Sequence, residues 1–356
     1  MVRLINRIFT TPPQARIMGL QLEISTLCQL SCLYCPRTQT KDWINAFMSW
    51  SMYEQRIAPY FDLFDMVYLQ GWGEPLTNPY FWKMVELAKA VKRKVGFTTN
   101  GILLDELSIE RACELEVDLI SFTFTGATPS THEFYRGGSN FNNLISKIRM
   151  LSDRKRITRK EKPTIGISFT MMRDNLHEFS DVAKLAIELG VNQITASHLD
   201  CISAEEMERH TVFLNPRLDD EQHIKNAAHV LQSSKAFFKS EPPQLSGEIL
   251  VCEPNPLRTT VFVQVDGTVV PCHQMALPKS IVKSIYYRGM KFDYDPIILG
   301  NVQSEKLSDI LNNDASKELR NTFGLRQDGI NTTAALGQSI PDAPLICQKC
   351  YKLYGV

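Results

Sequence analysis

Between about residues 19 and 200, short apolar runs alternate with amphipathic stretches, and this alternation restricts the possible folds more than any other feature of the chain. Strands joined through helical crossovers pair in parallel, and a parallel sheet must be covered by those helices. The runs are Leu20 to Ser25, Met66 to Gln70, Lys94 to Thr98, Leu119 to Phe124, Ile165 to Met171 and Gln193 to Ser197. They predict an α/β fold of six βα units, a partial (β/α)6 barrel less closed than an eight-unit one. In that architecture chemistry is expected at the C-terminal ends of the strands.

The crossover segments support this reading. Thr77-Asn78-Pro79 supplies a polar cap and a proline suited to a first helical turn, and Phe81, Met84, Val85, Ala88 and Val91 follow at helical spacing. Further on, Phe179, Val182, Ala183, Ala186 and Leu189 share one helical face, and Gly190 stands where a helix C-cap wants positive φ. After residue 200 the alternation stops. Residues 1–18 read as an N-terminal extension too short for a peptide-binding domain, and 19–200 as the barrel. Residues 201–246 read as a polar helical connecting segment, and 247–356 as a small α+β module. That module opens with an alternating run, Thr259 to Val265, leading into Asp266-Gly267, a strong hairpin signal. Gly324 to Leu345, rich in Gly, Pro, Asn and Thr, reads as a loop.

Lys plus Arg and Asp plus Glu both number 39, so no net field draws the chain toward nucleic acid or anionic lipid. The basic stretch Arg154-Lys155-Arg156 to Arg159-Lys160 reads as a solvated helix end. No apolar run is long enough to span a bilayer, and Pro12-Pro13 breaks any signal-peptide pattern. Nine cysteines without a secretory signal then point to reduced thiols in a cytoplasmic protein, where clustered cysteines usually bind metal.

Directly after the first predicted strand, CQLSCLYC places Cys28, Cys32 and Cys35 in a C-x3-C-x2-C array. Thiolate is a soft ligand suited to iron-sulfur clusters and zinc. Three ligands leave one iron of a cubane open to a non-protein ligand. A zinc knuckle would need a fourth local ligand, and the next histidine is His132. The array, with Tyr34 before its last cysteine, resembles the radical S-adenosylmethionine superfamily. The resemblance implies that the open iron chelates the amino and carboxylate groups of S-adenosylmethionine. It also implies that an electron from the reduced cluster cleaves the cosubstrate to a 5'-deoxyadenosyl radical, which abstracts hydrogen from a substrate carbon.

Gly71-Trp72-Gly73-Glu74-Pro75, after the second strand, resembles the family's glycine-glutamate turn, which implies that Gly73 and Glu74 bind the methionine ammonium. By the same resemblance Asn100, Thr123, Ser168 and Arg173 face the ribose and the carboxylate, Arg173 through a bidentate guanidinium. Asn100 ends the third strand within Thr99-Asn100-Gly101, and Ser121 shares the fourth with Thr123.

Cys252 and Cys272 flank the predicted hairpin, and Cys347 and Cys350 form a C-x2-C pair near the end of the sequence. This resembles the auxiliary-cluster modules called SPASM and their shortened form, twitch. It implies one auxiliary [4Fe-4S] cluster that moves electrons. A structural zinc site is the alternative, and His273 is either a substitute ligand or a neighbour of the cluster. Cys113 reads as a buried helix thiol. Cys201 follows the sixth strand and is either a loop thiol or a hydrogen-atom donor to a substrate radical. These features predict a radical enzyme acting on a peptide or small molecule. With the auxiliary cluster taking an electron it would dehydrogenate or form a bond; with Cys201 as donor it would be an epimerase. The alternative from another class is a non-catalytic iron-sulfur carrier or zinc-stabilised binding protein. Flavodoxin or ferredoxin is the implied electron donor.

Overall fold

The computed structural model describes residues 17–40, 42–245, 252, 255–277, 284–336 and 341–356. Residues 1–16 of the expected extension, residue 246 of the expected connecting segment, and 247–251, 253–254, 278–283 and 337–340 of the expected second module lie outside them. The six expected strands are present: β1 (Ile17–Leu22), β2 (Phe64–Leu69), β3 (Lys94–Thr99), β4 (Leu119–Phe124), β5 (Thr164–Met171) and β6 (Gln193–His198). All pair in parallel in chain order. Between them run α1 (Phe81–Ala90), α2 (Glu106–Glu114), α3 (Pro129–Tyr135), α4 (Phe141–Thr158) and α5 (Phe179–Glu188).

Alternation along each strand separates two faces. One face, carrying Leu20, Val67, Phe97, Phe122 and Phe169, is buried in the core with Phe81, Met84, Val85 and Ala88 of α1 and with Phe179, Val182, Ala183 and Ala186 of α5. Burying one such side chain contributes about 1.5–3 kcal/mol. The other face is polar: Tyr68 bonds Thr98 at 3.0 Å, and Ser121 bonds Ser168 at 3.0 Å. Gly96 lies opposite Tyr68 in the register, and a side chain there would come within 2.4 Å of Met66. Gly190 has φ +68, as its place after α5 suggested.

Two features depart from the sequence expectation. The connecting segment is not purely helical: after α6 (Asp220–Gln232) comes β7 (Phe237–Ser240), which extends the sheet parallel to β6. A four-residue edge strand with Phe237 exposed carries no buried alternation to read. The second module is also continuous with the first. β8 (Thr260–Val263) pairs in parallel with the free side of β1, and β9 (Thr268–Val270) returns antiparallel through Gly267 at φ +83. With the hairpin β10 (Ser284–Tyr287) and β11 (Met290–Asp293) set apart, β12 (Gly300–Asn301) completes a ten-stranded sheet ordered β12-β9-β8-β1-β2-β3-β4-β5-β6-β7.

The expected loop from Gly324 is instead part of α7 (Asp314–Leu336), a 23-residue helix; residues 337–340 lie outside the described set. Gly324 lies ten residues into this helix and does not break it. A Cβ there would come within 2.6 Å of the Arg258 guanidinium.

Candidate active site: two cysteine-lined cavities

At the C-terminal ends of the barrel strands lies a chamber of about 290 Å³ whose lining includes Cys28, Cys32 and Cys35. Their loop is pinned from several sides. Arg37 bonds the carbonyl of Leu30, the Leu33 amide donates to Tyr135 O at 3.0 Å, and Ser31–Cys32 pairs with Arg136–Gly137. Arg136 also donates to the Tyr34 hydroxyl at 2.9 Å, which fixes the aromatic that precedes the last cysteine. Burial pushes the Cys28 thiol up, and the Cys35 thiol up to about 11. Near neutral pH such thiols lose their protons when a metal takes the sulfur.

The Gly71–Glu74 turn lines the same chamber. A side chain at Gly73 would come within 2.5 Å of the Ser25 carbonyl, so the turn can pack there only as glycine. Glu74 is buried and accepts from the Thr99 hydroxyl at 2.8 Å, the Asn100 amide at 2.8 Å and the Leu76 amide at 3.3 Å. Burial raises its carboxyl to about 7, against the lowering effect of these donors. Glu74 therefore ties the turn to the end of β3. Asn100 in turn reaches Cys28 Sγ at 3.6 Å.

Thr123 lines the chamber as expected, together with Gln70 and Thr170, which the sequence reading did not single out. Ser168 is not among the lining residues and bonds Ser121 on the neighbouring strand. Arg173 is placed elsewhere. It forms a buried bidentate pair with Asp220 at 2.6 and 2.8 Å and donates to Val212 O at 2.8 Å, so its guanidinium ties β5 to α6 instead of lining the chamber. Its position just past β5 suggested the rim, but Asp220, 47 residues on, claims the charge.

A second, much smaller cavity of about 40 Å³ is lined by Cys252, Cys272, Cys347 and Cys350 among apolar neighbours such as Ile297 and Leu319. Burial pushes the Cys272 thiol up to about 11 and that of Cys350 up to about 12. Among the described residues no three His, Cys, Asp or Glu side chains converge as a single bound ion requires. Thiolate is a soft ligand, and an iron-sulfur cluster is a centre that three or four cysteines can hold. His273 lines the first chamber, its ring 6.0 Å from that of Trp72, while its neighbour Cys272 lines the second.

Between the cavities stands Asp200, which lines both. Lys352, two residues beyond Cys350, pairs with Asp200 at 3.2 Å and with Glu241, and Glu241 also accepts from the His198 amide at 2.6 Å. The sequence reading missed this triad, because its members are 41 and 111 residues apart. Cys201, beside Asp200, is buried and lines the first chamber. Cys113 is a core residue of α2, as expected.

A parallel partial barrel with a three-cysteine chamber and a four-cysteine cavity beside it defines an iron-sulfur enzyme of the radical type. Family models agree: the radical SAM superfamily matches residues 22–192 and an iron-sulfur cluster-binding domain matches 252–351. The chain belongs to the radical S-adenosylmethionine superfamily, and its cofactors are a [4Fe-4S] cluster, S-adenosylmethionine and an auxiliary iron-sulfur centre. It is similar to a tungsten-containing aldehyde ferredoxin oxidoreductase cofactor-modifying protein of Pyrococcus furiosus, 25% identical over 82% of this chain and 80% of that one. It is also 25% identical to a mycofactocin maturase of Mycobacterium ulcerans, over 47% of this chain and 44% of the maturase. Among solved structures, Streptococcus suis SuiB bound to S-adenosylmethionine superposes with a TM-score of 0.66 at 13% identity, covering 96% of this chain and 72% of SuiB. The structure of anSMEcpe with bound AdoMet gives 0.60 at 17%, covering 95% and 84%. These two likenesses concern the fold. No described helix is long and apolar enough to cross a membrane.

Proposed function

We propose that the enzyme abstracts hydrogen from a peptide or a peptide-derived or cofactor-like small molecule, and that the auxiliary centre, a single [4Fe-4S] cluster, accepts the second electron, giving dehydrogenation or bond formation. The observation that carries this reading is the pair of cysteine-lined cavities sharing one wall residue, Asp200. When bound, the first cluster and S-adenosylmethionine supply the radical. Cys28, Cys32 and Cys35 would hold that cluster, leaving room in a polar chamber for the cosubstrate. Gly73, Glu74, Asn100 and Thr123 line the space it would occupy. Cys252, Cys272, Cys347 and Cys350 would hold the auxiliary cluster, with no vacancy for substrate.

A groove of about 310 Å³, which shares Tyr34 and Leu199 with the chamber and is flanked by Glu206, Arg209 and His210, offers the substrate a path in. The names of the relatives, a cofactor-modifying protein and a maturase, favour this substrate class. A flavodoxin or ferredoxin is the electron donor the chemistry calls for. The epimerase reading stays as the second proposal because Cys201 is buried against the same chamber, placed to return a hydrogen atom.

Anaerobic reconstitution, counting iron and sulfide and assaying 5'-deoxyadenosine with dithionite, tests the reading. About eight irons per chain, for two cubanes, with cleavage lost on Cys32→Ala, is the expected result. Zinc in place of iron, or no cleavage by an intact holoenzyme, would overturn it. Cys201→Ala then separates the outcomes: an oxidase keeps its product, whereas an epimerase loses deuterium incorporation from solvent.

A further inference from the structure

Glu23 is a buried carboxylate that the chemistry above does not use. It follows β1, the strand held between β2 of the barrel and β8 of the second module, and it is 1% exposed. Its Oε1 accepts from the Trp72 amide at 3.1 Å, in the middle of the Gly71–Glu74 turn, and its Oε2 accepts from the Val265 amide at 3.4 Å, just past β8. The β8–β9 hairpin that Val265 begins delivers Cys272. Trp72 spans the same gap from the other side, its indole Nε1 donating to the Ala276 carbonyl at 3.1 Å and its ring lying 6.0 Å from that of His273. The stem of Glu23 is pressed against the turn, since a Cβ on Gly71 would come within 2.4 Å of Glu23 Cγ. Among the described residues no cation pairs with Glu23, and burying an unpaired acid costs stability. What the acid gains is two amide donors, one from each module.

We infer that Glu23, with Trp72, is a positioning residue that locks the Gly71–Glu74 turn and the auxiliary-cluster hairpin into one register, so that the cosubstrate site is built only when the second module is docked. The inference rests on reading that turn as the S-adenosylmethionine-binding turn. It makes the two sites one mechanical unit although their residues come from opposite ends of the chain.

The test uses the cluster-loaded full chain with Glu23→Gln, Glu23→Leu and Trp72→Phe. Hydrogen exchange is read at the segments 71–74 and 265–272, and affinity for S-adenosylmethionine by anaerobic equilibrium dialysis together with the change it causes in the reduced cluster's paramagnetic spectrum. Glu23→Gln keeps one acceptor but turns an amide N–H toward a donor, and is expected to speed exchange in both segments together and to weaken binding about threefold to tenfold. Glu23→Leu is expected to weaken it by about tenfold or more. Trp72→Phe keeps the amide bond to Glu23 and loses the one to Ala276; it is expected to speed exchange in 265–272 more than in 71–74. Should Glu23→Leu fail to fold, Glu23→Gln still decides. Wild-type exchange and wild-type affinity in the Glu23 variants would overturn the inference. A wild-type enzyme that binds no S-adenosylmethionine would instead overturn the functional reading, and the exchange data would still show whether the brace exists.

Discussion

The two cysteine-lined cavities differ in volume by about sevenfold, roughly 290 against 40 Å³, and in the character of their walls. The first is walled by Gln70, Thr98, Asn100, Thr123 and Thr170, side chains that offer hydrogen bonds to a polar guest. The second is closed in by Ile285, Ile297, Leu319 and Ile346 and supplies four sulfurs. A three-thiolate chamber with polar walls keeps a place for a ligand that the protein does not provide. A four-thiolate pocket with mostly apolar walls keeps none, and a metal centre there would exchange electrons but not bind substrate. Under the proposed function, chemistry would belong to the first site and electron transfer to the second.

Removing one cysteine from each site tests that assignment most severely. Cys32→Ala should lower 5'-deoxyadenosine formation at least about a thousandfold. Cys272→Ala should cost the auxiliary irons yet leave substrate-free cleavage within about threefold. Equal losses in the two variants would erase the distinction between the sites.

Next in size is the shared wall. Lys352→Met strands Asp200 and Glu241 without their cation and should cost about 3–5 kcal/mol of stability, read from denaturant midpoints. Arg173→Gln breaks a buried pair in the barrel and should cost a similar amount, but affinity for S-adenosylmethionine should stay within about twofold, because Asp220 and not the chamber holds this guanidinium. A large loss of affinity in Arg173→Gln would return Arg173 to the site.

The smallest effect concerns pH. Cys35 and Cys272, at about 11, and Cys350, at about 12, lie above the ordinary thiol value of 9.0. In the metal-free chain the unfolded thiols ionise first, so the thiol contribution to stability is level below pH 9 and is lost as pH rises from 9 through 11 to 12. In the cluster-loaded enzyme the protons have already left with metal binding, so that fall should be absent. Thermal midpoints of both forms across this range check the sign, and parallel curves would argue against the thiols as ligands.

Much of this was legible in the sequence. The six barrel strands, the core faces of α1 and α5, the hairpin at Gly267 and both cysteine sets are local patterns, and each appears where the pattern put it. What escaped the reading was non-local or weakly patterned. β7 is a short edge strand with an exposed Phe237, so no buried period marked it. The composition of Gly324 to Leu345 read as a loop, whereas its first part, through Leu336, continues α7. Arg173 sat at the right distance from its strand for a cosubstrate contact, but a carboxylate 47 residues away claims it. Glu23 gave no such signal: in Leu20-Gln21-Leu22-Glu23-Ile24 it takes its turn in an apolar/polar alternation.

The sequence by itself determined the repeating βα architecture and the local C-x3-C-x2-C and C-x2-C arrays, because each follows from residue type at short spacing. Only the tertiary structure decided that β8 joins the barrel sheet beside β1, that Asp200 stands in the wall between the two sites, and that Glu23 spans the two modules. Those outcomes depend on which chain segments lie side by side after folding, and that is fixed by packing summed over the whole molecule rather than by any local pattern.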